Sequence, residues 1–242
     1  MALKNKIMTE KASPSFYNQV KQHLIRKWYK KTGRIPEIPW MAQKEQDILV
    51  EILGNLKPKR CLEWGSGYST VTFPDLLPTE AEWISVEHDQ AWHHIMKGKK
   101  LPLQVNLNFV TADNPEFKQR EDGTYQDFKT YINFPKGYFD FILIDGRARN
   151  ACVKKALQLI SEQGIVILHD ANRLKYQENL HLFPYQVIFE DHRKHSGGMW
   201  LASKKPVIEV HLETKKHRKL WNMHLQLLWL IRPFYNLKKK HR

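Results

Sequence analysis

Seven short apolar runs punctuate the middle of the chain: "KRCLEW", "EWISVEHD", "NLNFVTAD", "YFDFILIDG", "GIVILHD", "YQVIFED" and "MWLASK". The first five are nearly continuous in apolar residues instead of alternating, as expected of strands covered on both faces. Stretches long enough for a crossover helix separate them, which predicts an α/β, doubly wound, mostly parallel sheet flanked by helices. The last two runs, near 185–191 and 199–203, are joined by the polar segment "HRKHSGG" and predict an antiparallel edge hairpin. No internal repeat is evident.

The flanks differ from this middle. Residues 1–54 read as an N-terminal helical segment packing on the core, with an amphipathic helix over Ser15 to Lys31 and a proline-bearing turn before Trp40. Trp40 reads as a core anchor, a cover over a cleft being the alternative. Residues 55–205 make the main domain, and 206–242 a basic amphipathic C-terminal extension. Within it, Leu220 to Ile231 is an apolar run of about 12 residues, short of the roughly 18 needed to span a bilayer. Its tryptophans and lysine flanks suit either the headgroup region of an anionic membrane or a helix docked on its own domain or a second subunit.

Charge supports that division. The net +14 is not evenly spread: residues 1–60 hold 13 Lys/Arg against 5 Asp/Glu, 61–205 hold 17 against 18, and 206–242 hold 9 against 2. A nucleic-acid enzyme concentrates positive charge around its site, whereas here the excess is terminal, which fits an anionic surface at least as well. The two cysteines, Cys61 and Cys152, have no metal-ligand spacing and suit a reducing compartment. With no apolar signal-like run at the start, the expected location is the cytoplasm, with attachment to the inner face of the membrane as a further reading.

The chemistry begins at the strand ends. Glu63, Glu87, Asp113 and Asp145 close four of the runs and Asp170 the fifth. In an open α/β sheet, ligands sit beyond the carboxyl ends of the strands where strand order reverses, so these acids are expected around one cleft. In "CLEWGSGYST", Gly65 and Gly67 allow a tight turn against a ligand, and Ser69 is a candidate cap for the next helix. A dinucleotide fingerprint would want a third glycine where Thr70 stands and has no use for Glu63. A carboxylate there suits a cationic ammonium group. Glu87, 22 residues after Gly65, is placed to accept from both hydroxyls of a ribose. An ammonium-bearing nucleoside with a free ribose is S-adenosylmethionine.

The ordered set Glu63-x-Gly65-x-Gly67-x-Ser69, "SVEHD", "TAD" and "FDFILIDG" resembles class I S-adenosylmethionine-dependent methyltransferases over about residues 55–205, a bacterial, glycan-associated branch looking nearest. The resemblance implies a Rossmann-like seven-stranded sheet whose last strand is antiparallel. It also implies a cofactor site of Glu63, Gly65, Ser66, Gly67, Tyr68, Ser69, Glu87, His88, Ala112 and Asp113, the last two bordering the adenine. Pro74 departs from the pattern, since it should kink or shorten the first helix.

Methyl transfer to a hydroxyl needs an aligned acceptor and a route for its proton. Asp145, His169 and Asp170 are the candidate catalytic residues. Asp145 and Asp170 are also candidate ligands of a divalent cation, with His169 as the general base if no metal assists. Metal-dependent relatives would follow the carboxylate with an Asp-Asn pair, which "HDAN" interrupts with an alanine. Arg147 is the candidate acceptor-binding residue, and Arg149 reads equally as an ion-pair partner of a cleft acid. The long segment from Asn114 to Gly137 carries Tyr125, Phe128, Tyr131 and Phe134, which suit either an acceptor pocket or a packed helix face. The expected activity is O-methylation of a sugar, glycan or other small hydroxylated acceptor. RNA methylation, or a non-catalytic membrane-associated scaffold with this fold, are the alternatives.

Overall fold

The computed structural model describes residues 37–117, 121–191 and 196–223. All seven apolar runs are strands: β1 Arg60–Trp64, β2 Glu82–Glu87, β3 Val105–Phe109, β4 Phe139–Ile144, β5 Ile160–His169, β6 Tyr185–Phe189 and β7 Met199–Ser203. They form one sheet in the order β3-β2-β1-β4-β5-β7-β6. β1 pairs parallel with β2 and β4, and β7 pairs antiparallel with both β5 and β6. The predicted hairpin is present, but it enters the sheet second strand first. β7 is buried along its whole length beside β5, and β6, with Tyr185 and Gln186 exposed, takes the edge. Strand order reverses between β1 and β4, and the crevice above that point is where an α/β sheet receives a ligand.

Alternate residues of the central strands feed two cores. Leu62, Ile142, Ile144 and Val166 pack with Cys152, Val153 and Ala156 of helix α5 (Arg149–Leu159). Phe128 and Tyr131 join this core, with Tyr131 in the short helix α4 (Lys129–Asn133), so the packed-face reading holds for both; Tyr125 and Phe134 stay exposed. On the other face Cys61, Phe141, Leu143, Ile165 and Ile167 meet Ile48, Leu49, Ile52 and Leu53 of helix α1 (Gln43–Leu56). Helix α2 (Tyr68–Thr72) stops before Pro74, where the ring sterically opposes continuation, and a 3-10 turn over Pro74–Leu76 follows. Helix α3 (Gln90–Lys97) follows β2.

The chain after β7 returns to α1. Helix α6 (Ile208–His211) and a helix over 214–223, α7, bring Ile208, Leu212 and Trp221 into the second core. Trp221 lies 5.4 Å from the Phe189 ring, centroid to centroid, and the Lys44 ammonium sits 3.9 Å from its centroid. Lys216 and His217 both reach Glu51 of α1, at 3.2 and 3.1 Å. Lys215, Arg218 and Lys219 face outward. The helix predicted over Ser15 to Lys31 and the rest of the Leu220 to Ile231 run lie outside the described residues. Among the described residues no helix is long and apolar enough to cross a membrane.

Because Trp221 is 2% exposed and seated on Phe189, Trp221→Ala is expected to cost about 3 kcal/mol, the lower end for emptying a buried aromatic site. Urea unfolding measures this; a change below about 1 kcal/mol would mean that α7 is not part of the folded core.

Candidate active site

The turn after β1 is built on glycine for a steric reason. Gly65 has φ +92°, and a Cβ there would lie 2.4 Å from Gly146 Cα, so the turns after β1 and β4 pass each other in contact. The side-chain space at Gly65 is thus taken by the backbone of Gly146, so only glycine fits this turn. Gly67 is extended at φ −174°, and a Cβ there would meet only Ser69 Oγ, at 3.5 Å. Thr70, not Ser69, serves the helix start, accepting from Gly67 N at 2.9 Å.

Ser69 turns inward to Glu63. The Glu63 carboxylate is fully buried and accepts from Ser69 Oγ (2.5 Å), Thr70 Oγ1 (2.7 Å), Trp83 Nε1 and Ser85 Oγ (both 3.0 Å). Burial pushes its pKa up to about 7 against the pull of these four donors. Glu63 does not line the cleft, which corrects its assignment as a direct contact of the ammonium group. It ties β1, β2 and α2 together from beneath, because a buried carboxylate must find donors within the protein.

A cleft of about 490 Å³ opens above this turn. Its lining includes Gly65, Ser66, Gly67, Tyr68, Ser69, Glu87 and His88, which are seven of the ten expected cofactor residues. Glu87 Oε2 accepts from Ser66 N and Ser66 Oγ, both at 2.9 Å, and Oε1 from His88 N and Asp89 N, both at 2.8 Å. Burial would raise this carboxyl, but the His88 ring, whose Nδ1 lies 2.9 Å from Oε1, together with those donors outweighs it and holds Glu87 below the ordinary range. The Ser66 hydroxyl is the one rotatable donor of the four, so it is the contact a ligand hydroxyl can displace. His88 stands edge-on to Phe128, 5.3 Å between centroids.

Ala112 and Asp113 are not among the lining residues. β3 ends at Phe109, and Asp113 is drawn off to the following segment, where it accepts from Thr130 N (2.7 Å) and Thr130 Oγ1 (2.5 Å) at the start of α4. The strand-end spacing overestimated the reach of β3. Trp40 is 61% exposed at the rim, 5.6 Å from the Trp92 ring, and lines the cleft, so the core-anchor reading is replaced by the cover. Trp92 was not anticipated; its indole donates to Ser66 O at 2.9 Å and so supports the turn from the far side. Its signal was the start of "QAWHHIMK", whose Asp89 cap accepts from Trp92 N.

The other end of the cleft holds the candidate catalytic residues. His169 Nδ1 lies 2.9 Å from Asp145 Oδ1, and Nε2 lies 3.4 Å from Oε2 of Glu45 in α1. Arg149 reaches the same Asp145 Oδ1 at 3.0 Å and donates to the carbonyls of Gly146, His169 and Asp145 at 3.0, 2.7 and 2.9 Å. Burial would raise Asp145, yet His169 and Arg149 hold it below the usual carboxylate range. Arg147 lines the cleft and is half-buried. Asp170, with φ 62°, is engaged by Arg173 at 2.7 Å and by the amide of Gly197. Glu45 was missed, since nothing on α1 announces that an acid at its third position is buried; Arg173, three residues after Asp170, was legible as an ion-pair partner.

This arrangement corrects two expectations. His169 is not a free base, because its two ring nitrogens face two carboxylates, which favour the protonated ring. The metal reading fails on the donors: Asp145 and Asp170 each already face a guanidinium, and among the described residues no group of three or more His, Cys, Asp or Glu is arranged to hold a metal.

Burial disfavours the His169 imidazolium, but Asp145 and Glu45 outweigh it and raise its pKa to about 10, against an ordinary 6.5. The stabilisation from this charge is complete below pH 6.5 in both reference and folded terms and is lost as pH rises towards 10. Stability to urea should therefore fall between pH 6.5 and 10, with a smaller slope in His169→Gln. Equal slopes would show that His169 is neutral in the native protein.

The comparisons with known proteins agree with this geometry at the level of fold. No family model matches the chain, and no curated protein matches it. Solved structures do. The O-methyltransferase from Bacillus cereus in complex with SAH superposes with TM-score 0.52 at 16% identity, covering 81% of this chain and 94% of that one. Cofactor-bound Rv0187 from MTB superposes with TM-score 0.51 at 16% identity, covering 78% and 90%. The chain has the class I methyltransferase fold.

Proposed function

We propose that the chain is an S-adenosylmethionine-dependent O-methyltransferase for a small hydroxylated acceptor, with a sugar or glycan as the favoured class. The observation that carries this reading is the union, in one cleft, of the Gly65–Ser69 turn and Glu87 at one end with an ionised, fixed Asp145 at the other. The turn and Gly146 would hold the methionine part. Glu87 would take the ribose hydroxyls in place of Ser66 Oγ, and His88 would border the base. Bound there, the cofactor would supply an electrophilic methyl group on a sulfonium.

The chain's own part is alignment and proton handling. A second groove of about 760 Å³, lined by Asn172, Arg173, Leu174 and Lys175 among others, meets the cleft at Arg173. It gives an acceptor a route to Asp145. Asp145 Oδ1 is occupied by His169 and Arg149, which leaves Oδ2 to accept a hydrogen bond from an acceptor hydroxyl. As the oxygen bonds to carbon its proton becomes strongly acidic, so even a carboxylate of low basicity can receive it. Trp40 and Trp92 cover the rim and limit water.

Calorimetry with S-adenosylmethionine tests the reading: saturable one-to-one binding is expected, and its absence would sink the proposal. Glu87→Ala should weaken that binding by about 1.5 to 3 kcal/mol, or about 10- to 150-fold, the range for hydrogen bonds to a charged group. Affinity unchanged in a folded variant would remove Glu87 from the site.

We propose also that the basic C-terminal segment attaches the protein to anionic membranes. The outward Lys215, Arg218 and Lys219 of α7 continue the charge of the sequence that follows, and each such residue contributes about 1 kcal/mol near an anionic surface. Deleting residues 224–242 spares Trp221 and should release the protein from phosphatidylserine vesicles while cofactor binding persists. A full-length protein that ignores such vesicles at low salt would rule this out.

A further inference from the structure

We infer that Trp40, backed by Trp92, is the part of the cleft that recognises the positive charge of the cofactor's sulfonium, so that the site holds S-adenosylmethionine more tightly than its neutral, demethylated thioether. The inference rests on the function proposed above and names the residue that tells the two forms of the cofactor apart.

The backbone around Trp40 is fixed, yet its ring is not buried. Its chain neighbours Pro39 and Met41 are both buried, and Gln46 Nε2 donates to Met41 O at 3.0 Å. An indole left 61% exposed between two buried residues forgoes one of the largest apolar burials a side chain can make. It packs on Trp92 with the ring planes tilted by 43°, and Trp92 meets Tyr68 edge-on at 6.4 Å. Trp92 is held in turn by its indole contact with Ser66 O. All three rings line the same cleft as Glu87 and Asp145. Trp40 bridges the two ends of that cleft. It meets Trp92 beside Ser66, and it directly precedes the start of α1, whose Glu45 lies 3.4 Å from His169 at the acceptor end. A sulfonium belongs between those ends, because its three substituents are the methionine chain, the ribose carbon and the methyl group to be moved.

The carboxylates of the cleft do not serve this charge. Glu87 already meets the Ser66 hydroxyl and three amides, and Asp89 meets the Trp92 amide. Asp145 faces His169 and Arg149, and Asp170 faces Arg173. A sulfonium carries no N–H or O–H, so it cannot take the place of any of these donors. Glu63 is closed off beneath the turn, and the arginines that line the cleft offset its acids. An aromatic face asks no hydrogen bond of a cation: the ring quadrupole attracts the charge directly, and indole does so best among the aromatic side chains. The same aromatic cluster already receives one cation, since Lys99 Nζ lies 5.6 Å from the Tyr68 centroid. Transfer of the methyl group leaves a neutral thioether, and this attraction ends with the charge.

The test uses the full-length protein and needs no acceptor. Calorimetry is run with S-adenosylmethionine and, separately, with S-adenosylhomocysteine, which differ at the sulfur by the methyl group and its charge. Trp40→Leu keeps an apolar cover and removes the ring. It should weaken S-adenosylmethionine by about 3- to 30-fold and S-adenosylhomocysteine by less than about 2-fold, the span of a cation over an aromatic face. Trp40→Phe should fall between wild type and Trp40→Leu for S-adenosylmethionine alone, and it carries the comparison by itself if the leucine variant does not fold. Equal weakening of both ligands would reduce Trp40 to an apolar cover, and unchanged affinities would remove it from the site. Either result overturns the inference and leaves the proposed function standing. A wild type that binds neither ligand overturns the function, and the inference with it.

Discussion

A buried guanidinium and a buried imidazole converge on one oxygen of Asp145, and much of the molecule is arranged to make that tolerable. A guanidinium and an imidazolium removed from water are costly unless each is surrounded by acceptors. Arg149 has three backbone carbonyls and Asp145. His169 has Asp145 and Glu45. To supply Glu45, helix α1 must lie with its first turn against β5 and β7, and that placement is the one that lays Ile48, Leu49, Ile52 and Leu53 over the sheet. Electrostatic and apolar demands therefore select the same docking of the N-terminal helix.

The opposite end of the cleft follows a different logic. There two carboxylates are satisfied by hydroxyls, amides, an indole and the His88 imidazole, with no Lys or Arg donor among the described residues. Glu63 is closed off beneath the turn and lifted by burial to near neutrality, whereas Glu87 is open to the cleft and held ionised by its donors. Two acids 24 residues apart in similar strand-end positions thus have different work: one fastens β1, β2 and α2, and the other remains able to exchange Ser66 Oγ for a ligand hydroxyl. The close pass of Gly65 and Gly146 joins the two ends, so that the turn after β1 and the turn carrying Asp145 cannot shift independently.

The C-terminal segment shows how the start of a surface pattern can be taken up by the core. Its basic-apolar-basic order is real, yet Trp221, the first tryptophan of that order, is used to close the core between Phe189 and Lys44. What faces outward from α7 is its charge.

The sequence by itself determined the strands, because near-continuous apolar runs of strand length have no soluble home except a doubly covered sheet, and the sites of Gly65, Glu87 and Asp145 follow from the ends of those strands. Pro74 likewise announced its own interruption of the first helix. What only the tertiary structure decided was the state of each polar group. Whether Glu63 is buried or open, whether His169 is base or cation, and whether Asp145 and Asp170 face a metal or an arginine depend on partners such as Glu45 and Arg149. Those partners arrive from elements distant in the chain, and burial sets the cost of each charge only after they have arrived. Spacing along a chain places residues at the mouth of a cleft; their protonation and orientation belong to the packing.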